Sequence, residues 1–401
     1  MKVPPLPSDR NATGRTFDEQ ERAYLMQVMD SGTLICTSGT HAKAFEEDLA
    51  KVFGAKFALS CSSGSAAVHT AVAAVDPEPG DEIITTPITD MGALTAILYQ
   101  GAIPIFADVD PVTLNVTPET IRARITPRTK AIIATHLFGN PCDMDGILAI
   151  AQQHDLPVIE DAAQALLAKV GDKYTGTIGN IGCFSLQQSK HITTGEGGFI
   201  LVQKEELRRR MFLFINKAWP YNEPNPDHEF LAPNYRMTDL QGAVGRGQIA
   251  KLHDVVAKRQ ASAARFVEEL ADIDGLTLPK AAQGSVHAFW KMPLIIDSSK
   301  IDGGVDAVSA KLNAMGVMNA PHYVKKPAYQ CRIFAERRTF GNSQFPWSYR
   351  EQQDGTKIVY DDADFPGAIQ GLRDVLVLNW NELYTDSHVS ALISAVREAC
   401  R

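Results

Sequence analysis

The sequence lacks the features that would place the chain in a membrane or on nucleic acid. No apolar run approaches the roughly 18 residues that a membrane-spanning helix needs. The net charge is −8 and no long block of like charges occurs, so nucleic acid is not an expected partner. The first residues, MKVPPLPSDRN, contain three prolines and no apolar segment of the kind found in a signal peptide. We therefore expect a protein with no membrane association.

Cysteine pairs and metal-binding motifs are also absent. The six cysteines are scattered without a C-x-x-C pair, which indicates reduced thiols and a cytoplasmic location. The ten histidines show no H-E-x-x-H or similar spacing, so we predict no metal site. What the chain has is apolar material: 45% of its 401 residues are hydrophobic and 21% charged, enough for a large core in two or three domains.

Short apolar runs alternate with helix-period segments through the first half of the chain. Runs of this length, separated by helices, are typical of a mainly parallel sheet that is covered on both faces. The last two runs have only a polar turn between them, so one of those strands is expected to be antiparallel. Ligands of such sheets bind beyond the carboxyl ends of the strands. The predicted strands are residues 57–61, 82–86, 103–107, 131–136, 157–160, 183–186 and 199–202.

The second half predicts a smaller α+β domain. Residues 219–233 are rich in Pro and Asn and predict an irregular loop, and a long helix is predicted over 238–271. We place the domain division at 1–255 and 256–401. Residues 334–357 are polar, aromatic and weakly periodic, which is typical of a functional or mobile loop.

A lysine stands between the last two predicted strands. Lys190 is flanked by Ser, Gln, His and Thr, and a Gly-Glu-Gly-Gly turn follows at 195–198. Any single lysine is most often a surface residue. At this turn, however, its amine could be kept neutral and could form a Schiff base with a carbonyl.

A carboxylate ends an earlier buried strand. Asp161 could simply cap the segment that follows it. The functional alternative is that it hydrogen-bonds a pyridine nitrogen and keeps it protonated, as the chemistry of pyridoxal phosphate (PLP) requires. Gln164, three residues later, could reach the phenolic oxygen of the same ring.

Other polar positions suggest an anion site and a substrate site. The stretch SSGSA at 62–66 opens a helix after the first strand, where free N–H groups can bind phosphate, and Ser185 could add a hydroxyl. Arg236 is either a surface residue or a bidentate clamp for a carboxylate or phosphate. Among the histidines, His136 is interpreted as a core or surface residue and His322 as a candidate by position. The glycines at 242–247 follow no strand and indicate close helix packing.

Taken together, these stretches resemble the DegT/DnrJ/EryC1/StrS family of PLP-dependent sugar aminotransferases, which have the type I, aspartate aminotransferase-like fold. The resemblance covers most of the chain from about residue 14. It rests on CSSGSAA at 61–67, PGDEII at 79–84, GAIPIFADVD at 101–110, RTKAIIATHLFG at 128–139, VIEDAAQ at 158–164, FSLQQSKHITTGEGG at 184–198 and NYRMTDLQG at 234–242.

The resemblance implies a role for each matching position. Lys190 would form the Schiff base and move the proton, and Asp161 and Gln164 would contact the PLP ring. The implied phosphate contacts are Gly64, Ser65 and Ser185, with Asn234 donated by the neighbouring subunit of a homodimer. The implied substrate contact is Arg236, with Gln187, Gln188 and His322 as further candidates.

The sequence departs from the family pattern in several places, two of which concern the PLP ring and the substrate. Where many members put an aromatic residue over the PLP ring, the ungapped match gives Met91, whose thioether can cover a ring face. The polar pair Gln187-Gln188 replaces an aromatic residue and resembles members that act on cyclitols.

The implied reaction transfers an amino group from glutamate or glutamine to a keto-sugar or keto-cyclitol. One alternative is a sugar dehydratase of the same fold, in which histidine replaces the lysine. Another is a non-catalytic PLP-binding regulatory protein, which could have lost Lys190 or Asp161. Both residues are present, which favours transamination.

Overall fold

The structure is a computed structural model that describes residues 2–221 and 223–401. None of the helices in these ranges is both long and apolar enough to cross a membrane. Residue 222, which belongs to the predicted loop at 219–233, lies outside the described residues. The described part of that loop contains no regular helix or strand, as expected.

Strands of two larger sheets and one small sheet follow one another along the chain. The large sheet uses only strands before residue 203, and the four-stranded sheet uses only strands after residue 275. The strands are β1 (Phe57–Cys61), β2 (Glu82–Thr85), β3 (Ile103–Phe106), β4 (Thr129–Thr135), β5 (Val158–Asp161), β6 (Lys169–Val170), β7 (Lys173–Tyr174), β8 (Ile181–Ser185), β9 (Gly198–Val202), β10 (Leu276–Thr277), β11 (Ser285–Val286), β12 (Lys291–Ile296), β13 (Asn319–Pro321) and β14 (Val375–Asn379).

The large sheet has seven strands in the order β1-β9-β8-β5-β4-β2-β3. Strand β9 is antiparallel to both of its neighbours, and the other pairs in this sheet are parallel. Strands β5, β8 and β9 are buried along their whole length, which is why they read as continuous apolar runs. The predicted mainly parallel sheet with one reversed strand is confirmed.

Helices cover both faces of this sheet and continue into the C-terminal part. Local signals explain several ends: a capping box of Asp18 and Glu21 starts the first helix, and Gly54, at φ +68°, ends the second. The helices are α1 (Glu19–Ser31), α2 (His41–Phe53), α3 (Gly64–Ala74), α4 (Met91–Tyr99), α5 (Pro118–Arg122), α6 (Met144–Gln153), α7 (Glu205–Ile215), α8 (Asp239–Ile249), α9 (Leu252–Leu270), α10 (Gly304–Ala314), α11 (Arg332–Ala335), α12 (Trp347–Asp354), α13 (Pro366–Asp374) and α14 (Asp386–Ala399).

The predicted single helix over 238–271 is wrong, because two helices, α8 and α9, occupy that range. Helix α8 packs tightly on α1 and α2 through its glycines. A Cβ at Gly242 would lie 2.4 Å from the Cα of Ala42, and one at Gly245 would meet the Phe45 ring at 2.9 Å. The glycines at 242–247 therefore serve helix packing, as predicted. Apolar residues keep a helical spacing across the break, so the sequence pattern does not reveal it.

The C-terminal part contains an antiparallel four-stranded sheet in the order β10-β12-β14-β13, packed with α9, α10 and α14. The small third sheet, β11-β6-β7, joins residues just before β12 to the hairpin that follows β5. Helix α9 runs unbroken across residue 255. The division at 255/256 therefore stays a prediction.

The segment at 334–357 packs against the edge of the large sheet. It contains α12, and its Phe334 ring lies 5.4 Å from the ring of Phe106 in the edge strand β3. Tyr360, just beyond it, donates a hydrogen bond to the carbonyl of Pro104 at 2.7 Å. The segment thus covers a sheet edge, which corrects the expectation of a long loop.

Candidate active site

A cavity of about 420 Å³ lies beyond the carboxyl ends of β5 and β8, beside the N-terminus of α3. Strand ends and the turns that follow them supply most of its wall, as expected for a parallel sheet. Its lining residues are Ser63, Gly64, Ser65, Val68, Asp90, Ala93, Asp161, Ala163, Gln164, Ser185, Gln187, Ser189, Lys190, Glu196, Trp290 and Tyr323.

Lys190 projects into this cavity from the turn after β8. Its backbone N–H donates to the carbonyl of Gln187 at 2.9 Å, and its Nζ lies 4.2 Å from the centroid of the Trp290 ring. Burial lowers the pKa of Lys190 to about 8, although the charges of Asp161 and Asp90 act to raise it. A substantial fraction of this amine is therefore neutral, and nucleophilic, in mildly alkaline solution.

Asp161 ends β5 in the same cavity and is 7% exposed. One carboxylate oxygen accepts the N–H of Ala163 at 3.2 Å. Burial raises the pKa of Asp161, and this hydrogen bond and the charge of Lys190 partly oppose the shift. The carboxylate is consequently short of partners and is suited to bind a protonated nitrogen.

A buried His–Glu pair supports the strand end. The Nε2–H of His136 faces an oxygen of Glu160 at 3.0 Å, and its Nδ1 accepts the N–H of Cys142 at 3.1 Å. Glu160 also accepts N–H groups from Gly176, Ile178 and Gly179. Both ring nitrogens are thus bonded, and the side chain of His136 is buried in the core.

Gln164 is held in place at the opposite wall. Its Oε1 accepts the N–H of Phe138 at 2.7 Å, which turns its Nε2 toward the hydroxyl of Tyr323 at 3.5 Å. Burial raises the pKa of Tyr323 to about 12, so its hydroxyl stays protonated. The cavity therefore has an amide and a phenol on the side facing away from the helix.

The N-terminus of α3 forms an anion-binding end of the cavity. Ser63 caps the helix by accepting the N–H of Ala66, which leaves the first N–H groups and the exposed Ser65 hydroxyl free. A Cβ at Gly64 would lie 2.7 Å from the Cβ of Ser185, so only glycine allows this close approach. Gly64, Ser65 and Ser185 are thus together, as predicted.

Three predicted residues lie outside the cavity wall. Met91 is the first residue of α4 and packs against the core of the sheet, and its neighbour Asp90, the cap of that helix, lines the cavity instead. Gln188 donates to the carbonyl of Asp9. His322 contacts the carbonyl of Leu372 at 3.0 Å, and Tyr323 beside it reaches the cavity.

Asn234 and Arg236 also lie apart from the cavity that contains Lys190 of their own chain. Asn234 is exposed, and Arg236 lines a second cavity of about 650 Å³ with Cys36, Glu46 and Asn216. Its Nη1 is buried and, within the described part of the chain, has no hydrogen-bond partner. Gln187, in contrast, lines the Lys190 cavity as predicted.

Four wall residues with charged or aromatic side chains were not predicted from the sequence: Asp90, Glu196, Trp290 and Tyr323. Asp90 was missed by one position, because the resemblance pointed to Met91. Glu196 lies in the Gly-Glu-Gly-Gly turn that follows Lys190, so its closeness to Lys190 in the sequence could have predicted its place in the cavity. Trp290 and Tyr323 come from the second half of the chain, where no spacing links them to Lys190.

Comparison with known proteins agrees with this geometry. A profile described as the DegT/DnrJ/EryC1/StrS aminotransferase family matches residues 15–357. The chain belongs to this family. It is therefore an aminotransferase by family, and the predicted resemblance is confirmed.

Two curated relatives are similar over most of their length. GDP-perosamine synthase of Caulobacter vibrioides is 36% identical over 76% of this chain and 82% of its own. UDP-N-acetyl-3-dehydro-alpha-D-glucosamine 3-aminotransferase of Acidithiobacillus ferrooxidans is 35% identical over 78% and 81%. Both names describe the chemistry of nucleotide-linked sugars.

A solved structure with the same fold is that of GDP-4-keto-6-deoxymannose-3-dehydratase with a trapped PLP-glutamate geminal diamine. It has a TM-score of 0.81 and 25% identity, covering 96% of this chain and 98% of that one. The type I aminotransferase fold predicted from the sequence is confirmed.

Proposed function

We propose that this family member binds PLP in the Lys190 cavity and transfers an amino group to a keto-sugar. The observation that carries the proposal is one cavity with a lysine of lowered pKa, a buried carboxylate and an anion-binding helix end. PLP has an aldehyde, a ring nitrogen and a phosphate, and each of these groups has a matching partner here.

The residues present fit the cofactor. The phosphate would be held by the N–H groups at the start of α3, by Ser65 and by Ser185. The ring nitrogen would bind Asp161, whose buried carboxylate is short of hydrogen bonds. Gln164 would contact the phenolic oxygen. When bound, PLP supplies an electron sink that makes the α-carbon proton of an amino acid acidic.

The chain's own residues perform the proton transfers. The neutral form of the Lys190 amine can take the proton from the α-carbon of the donor, and in the second half of the reaction it can give a proton to the acceptor carbon that receives the amino group. Asp161 keeps the ring nitrogen protonated by its charge and hydrogen bond. The walls formed by Trp290 and Tyr323 exclude water from the Lys190 nitrogen, which keeps its pKa low.

The acceptor is inferred from the relatives and from the polar wall of the cavity. Both curated relatives have names that contain a nucleoside diphosphate and a sugar. Gln187, Glu196 and Tyr323 line the cavity with polar groups to which hydroxyl groups of a sugar or cyclitol can bind. Glutamate or glutamine is the proposed donor.

We infer that the working form is a homodimer with shared sites. Asn234 and Arg236 belong to a motif of the family, yet they do not line the Lys190 cavity of their own chain. Leu34 and Ile35 are exposed beside this segment, Ile35 being bridged to Thr238. A partner that covered these residues would bring Asn234 to a phosphate group and give Arg236 a ligand.

The dehydratase alternative is weaker, because members with that activity carry histidine at the lysine position and this chain carries Lys190. A non-catalytic role is also weaker, because Lys190 and Asp161 share one cavity. A dehydratase is among the solved structures of the same fold, but the lysine at position 190 favours the aminotransferase.

Absorbance spectroscopy tests the proposal. The purified protein mixed with PLP is expected to develop an absorbance band near the visible range, and borohydride reduction should remove this band and fix the cofactor covalently on Lys190. Addition of glutamate should remove the band and release 2-oxoglutarate. Lys190→Ala should show neither change, with Lys204→Ala, a surface substitution outside the cavity, as control. A protein that keeps its band in the presence of both donors would contradict transamination.

A further inference from the structure

Trp290 is fixed beneath the amine of Lys190. Its indole N–H donates to the carbonyl of Ser189 at 2.7 Å, and its backbone N–H donates to the carbonyl of Phe138 at 2.9 Å. The ring is 7% exposed and its centroid is 4.2 Å from Nζ of Lys190. Ser189 directly precedes Lys190 in the chain. The hydrogen bond from the indole to Ser189 therefore fixes the position of the Trp290 ring relative to Lys190.

A second lysine lies over the same ring. Nζ of Lys291 is 5.1 Å from the centroid of Trp290. Its hydrogen-bond partner is the neutral side chain of Asn379, and within residues 2–221 and 223–401 no carboxylate lies at ion-pair distance from it. Burial lowers the pKa of Lys291 to about 8, and the charges of Arg259, Lys190 and Arg10 also act in that direction.

Lys291 keeps most of its positive charge at neutral pH, because its pKa of about 8 lies above 7. A separate cavity of about 290 Å³, lined by Arg10, Lys291 and Asn379, shares only Ser189 and Trp290 with the Lys190 cavity. Asp9 also lines it and favours the charged form of Lys291. Asp9, however, is bonded to Arg259 at 3.3 Å and to Asn381.

We propose that Lys291 is a positioning residue for the amino-transfer reaction: its ammonium group, on the same indole as Lys190, disfavours a positive charge on the Lys190 nitrogen. The indole holds the Lys190 amine at a fixed place, and the second ammonium group on the same ring repels a proton there. The proposal deepens the proposed function, on which its catalytic meaning rests.

The distances set the size of the effect. The two Nζ atoms are each within about 5 Å of one ring centroid, so they are at most about 9 Å apart. At an effective dielectric constant of about 20, two unit charges at that separation shift each other's pKa by about one unit. The groups that face Lys190 with opposite charge are Asp161 and Asp90, and they are unchanged by substitution of Lys291.

Competitive acetylation of the cofactor-free protein measures this shift. The rate at which the Lys190 peptide is labelled, followed by mass spectrometry against pH in low salt, gives the pKa of the Lys190 amine. The variants are Lys291→Gln, which is neutral and can still bond Asn379, and Lys291→Arg, which keeps the charge. Lys291→Met is a second neutral variant, in case Gln impairs folding, and circular dichroism confirms the fold of each.

The neutral variants are expected to raise the pKa of Lys190 by about one unit, and Lys291→Arg by less than a third of that. The shift should shrink in 1 M salt. An unchanged pKa in the neutral variants, or an equal rise in the Arg variant, would overturn the proposal. Because the labelling uses no cofactor, its result is separate from the PLP absorbance test, and either can fail alone.

Discussion

Replacement of Lys190 by Met is expected to stabilise the cofactor-free protein. Burial lowers the pKa of Lys190 to about 8, whereas in the unfolded chain it keeps its ordinary value of 10.5. Folding at neutral pH must therefore hold an ammonium group where water is scarce. A site built for chemistry thus opposes the stability of its own fold, and the substitution removes that opposition.

The size of the gain follows from the pKa difference. At 1.36 kcal/mol per unit, the lowered pKa costs the folded state about 3 kcal/mol at pH 7. Below pH 8 the Lys190 amine is protonated in both the folded and the unfolded state, so the whole free-energy cost is present there. Between pH 8 and 10.5 the unfolded chain binds more protons than the folded one, and wild-type stability rises with pH. At pH 10 about 1 kcal/mol of the cost remains.

Urea unfolding of the cofactor-free wild type and Lys190→Met, at one fixed protein concentration, measures the difference. The Met variant is expected to be more stable by about 2 to 3 kcal/mol at pH 7 and by about 1 kcal/mol at pH 10. Lys300→Met is the control, because Lys300 is exposed and bonded to Asp274 at 2.7 Å. If Lys190→Met has no higher free energy of unfolding than the wild type at pH 7, the reasoning is refuted. An equal increase at both pH values would mean that better packing, and not the removed charge, stabilises the variant.

Three further substitutions test the site and the fold. Asp161→Asn should lower turnover by about 100-fold or more in steady-state assays, because the ring nitrogen loses its charged partner. Gly64→Ala should weaken PLP binding about tenfold in an absorbance titration, since its Cβ would lie 2.7 Å from that of Ser185 and displace the phosphate end. Arg350→Met should lower the free energy of unfolding by about 3 to 5 kcal/mol, because the buried carboxylate of Glu82, 3.4 Å from Arg350, loses its charged partner. The activity per folded molecule should persist.

The sheet could be predicted because its strands are buried on both faces. Strands such as β5 and β8 appear in the sequence as apolar runs bounded by polar turns, and the missing helix before β9 revealed its reversed direction. The break between α8 and α9 could not be predicted, because the apolar period continues across it. The order in 334–357 was also hidden, since its aromatic residues pack on β3, more than 200 positions earlier.

The candidate site divides in the same way. Asp161, Ser185 and Lys190 follow strand ends, and strand ends of a parallel sheet meet at one edge, so their proximity follows from the pattern. Trp290 and Tyr323 reach the cavity only through tertiary contacts. One such contact is the N–H of Trp290 bonded to Phe138, and a Cβ at Gly139 would lie 3.1 Å from that same nitrogen. No local pattern encodes an approach of this kind.

The opposed pKa shifts in the cavity predict that PLP stabilises this protein more than its phosphate alone does. Burial raises the pKa of Asp161 and lowers that of Lys190, so each charge opposes folding at neutral pH. PLP gives Asp161 a positively charged partner and takes up the Lys190 amine in a covalent bond, whereas inorganic phosphate can satisfy only the helix end. The midpoint temperature of thermal unfolding should therefore be several degrees higher with saturating PLP than with saturating phosphate. In Lys190→Met the PLP increment should shrink because the covalent part is lost, and an undiminished increment would show that binding does not use the lysine.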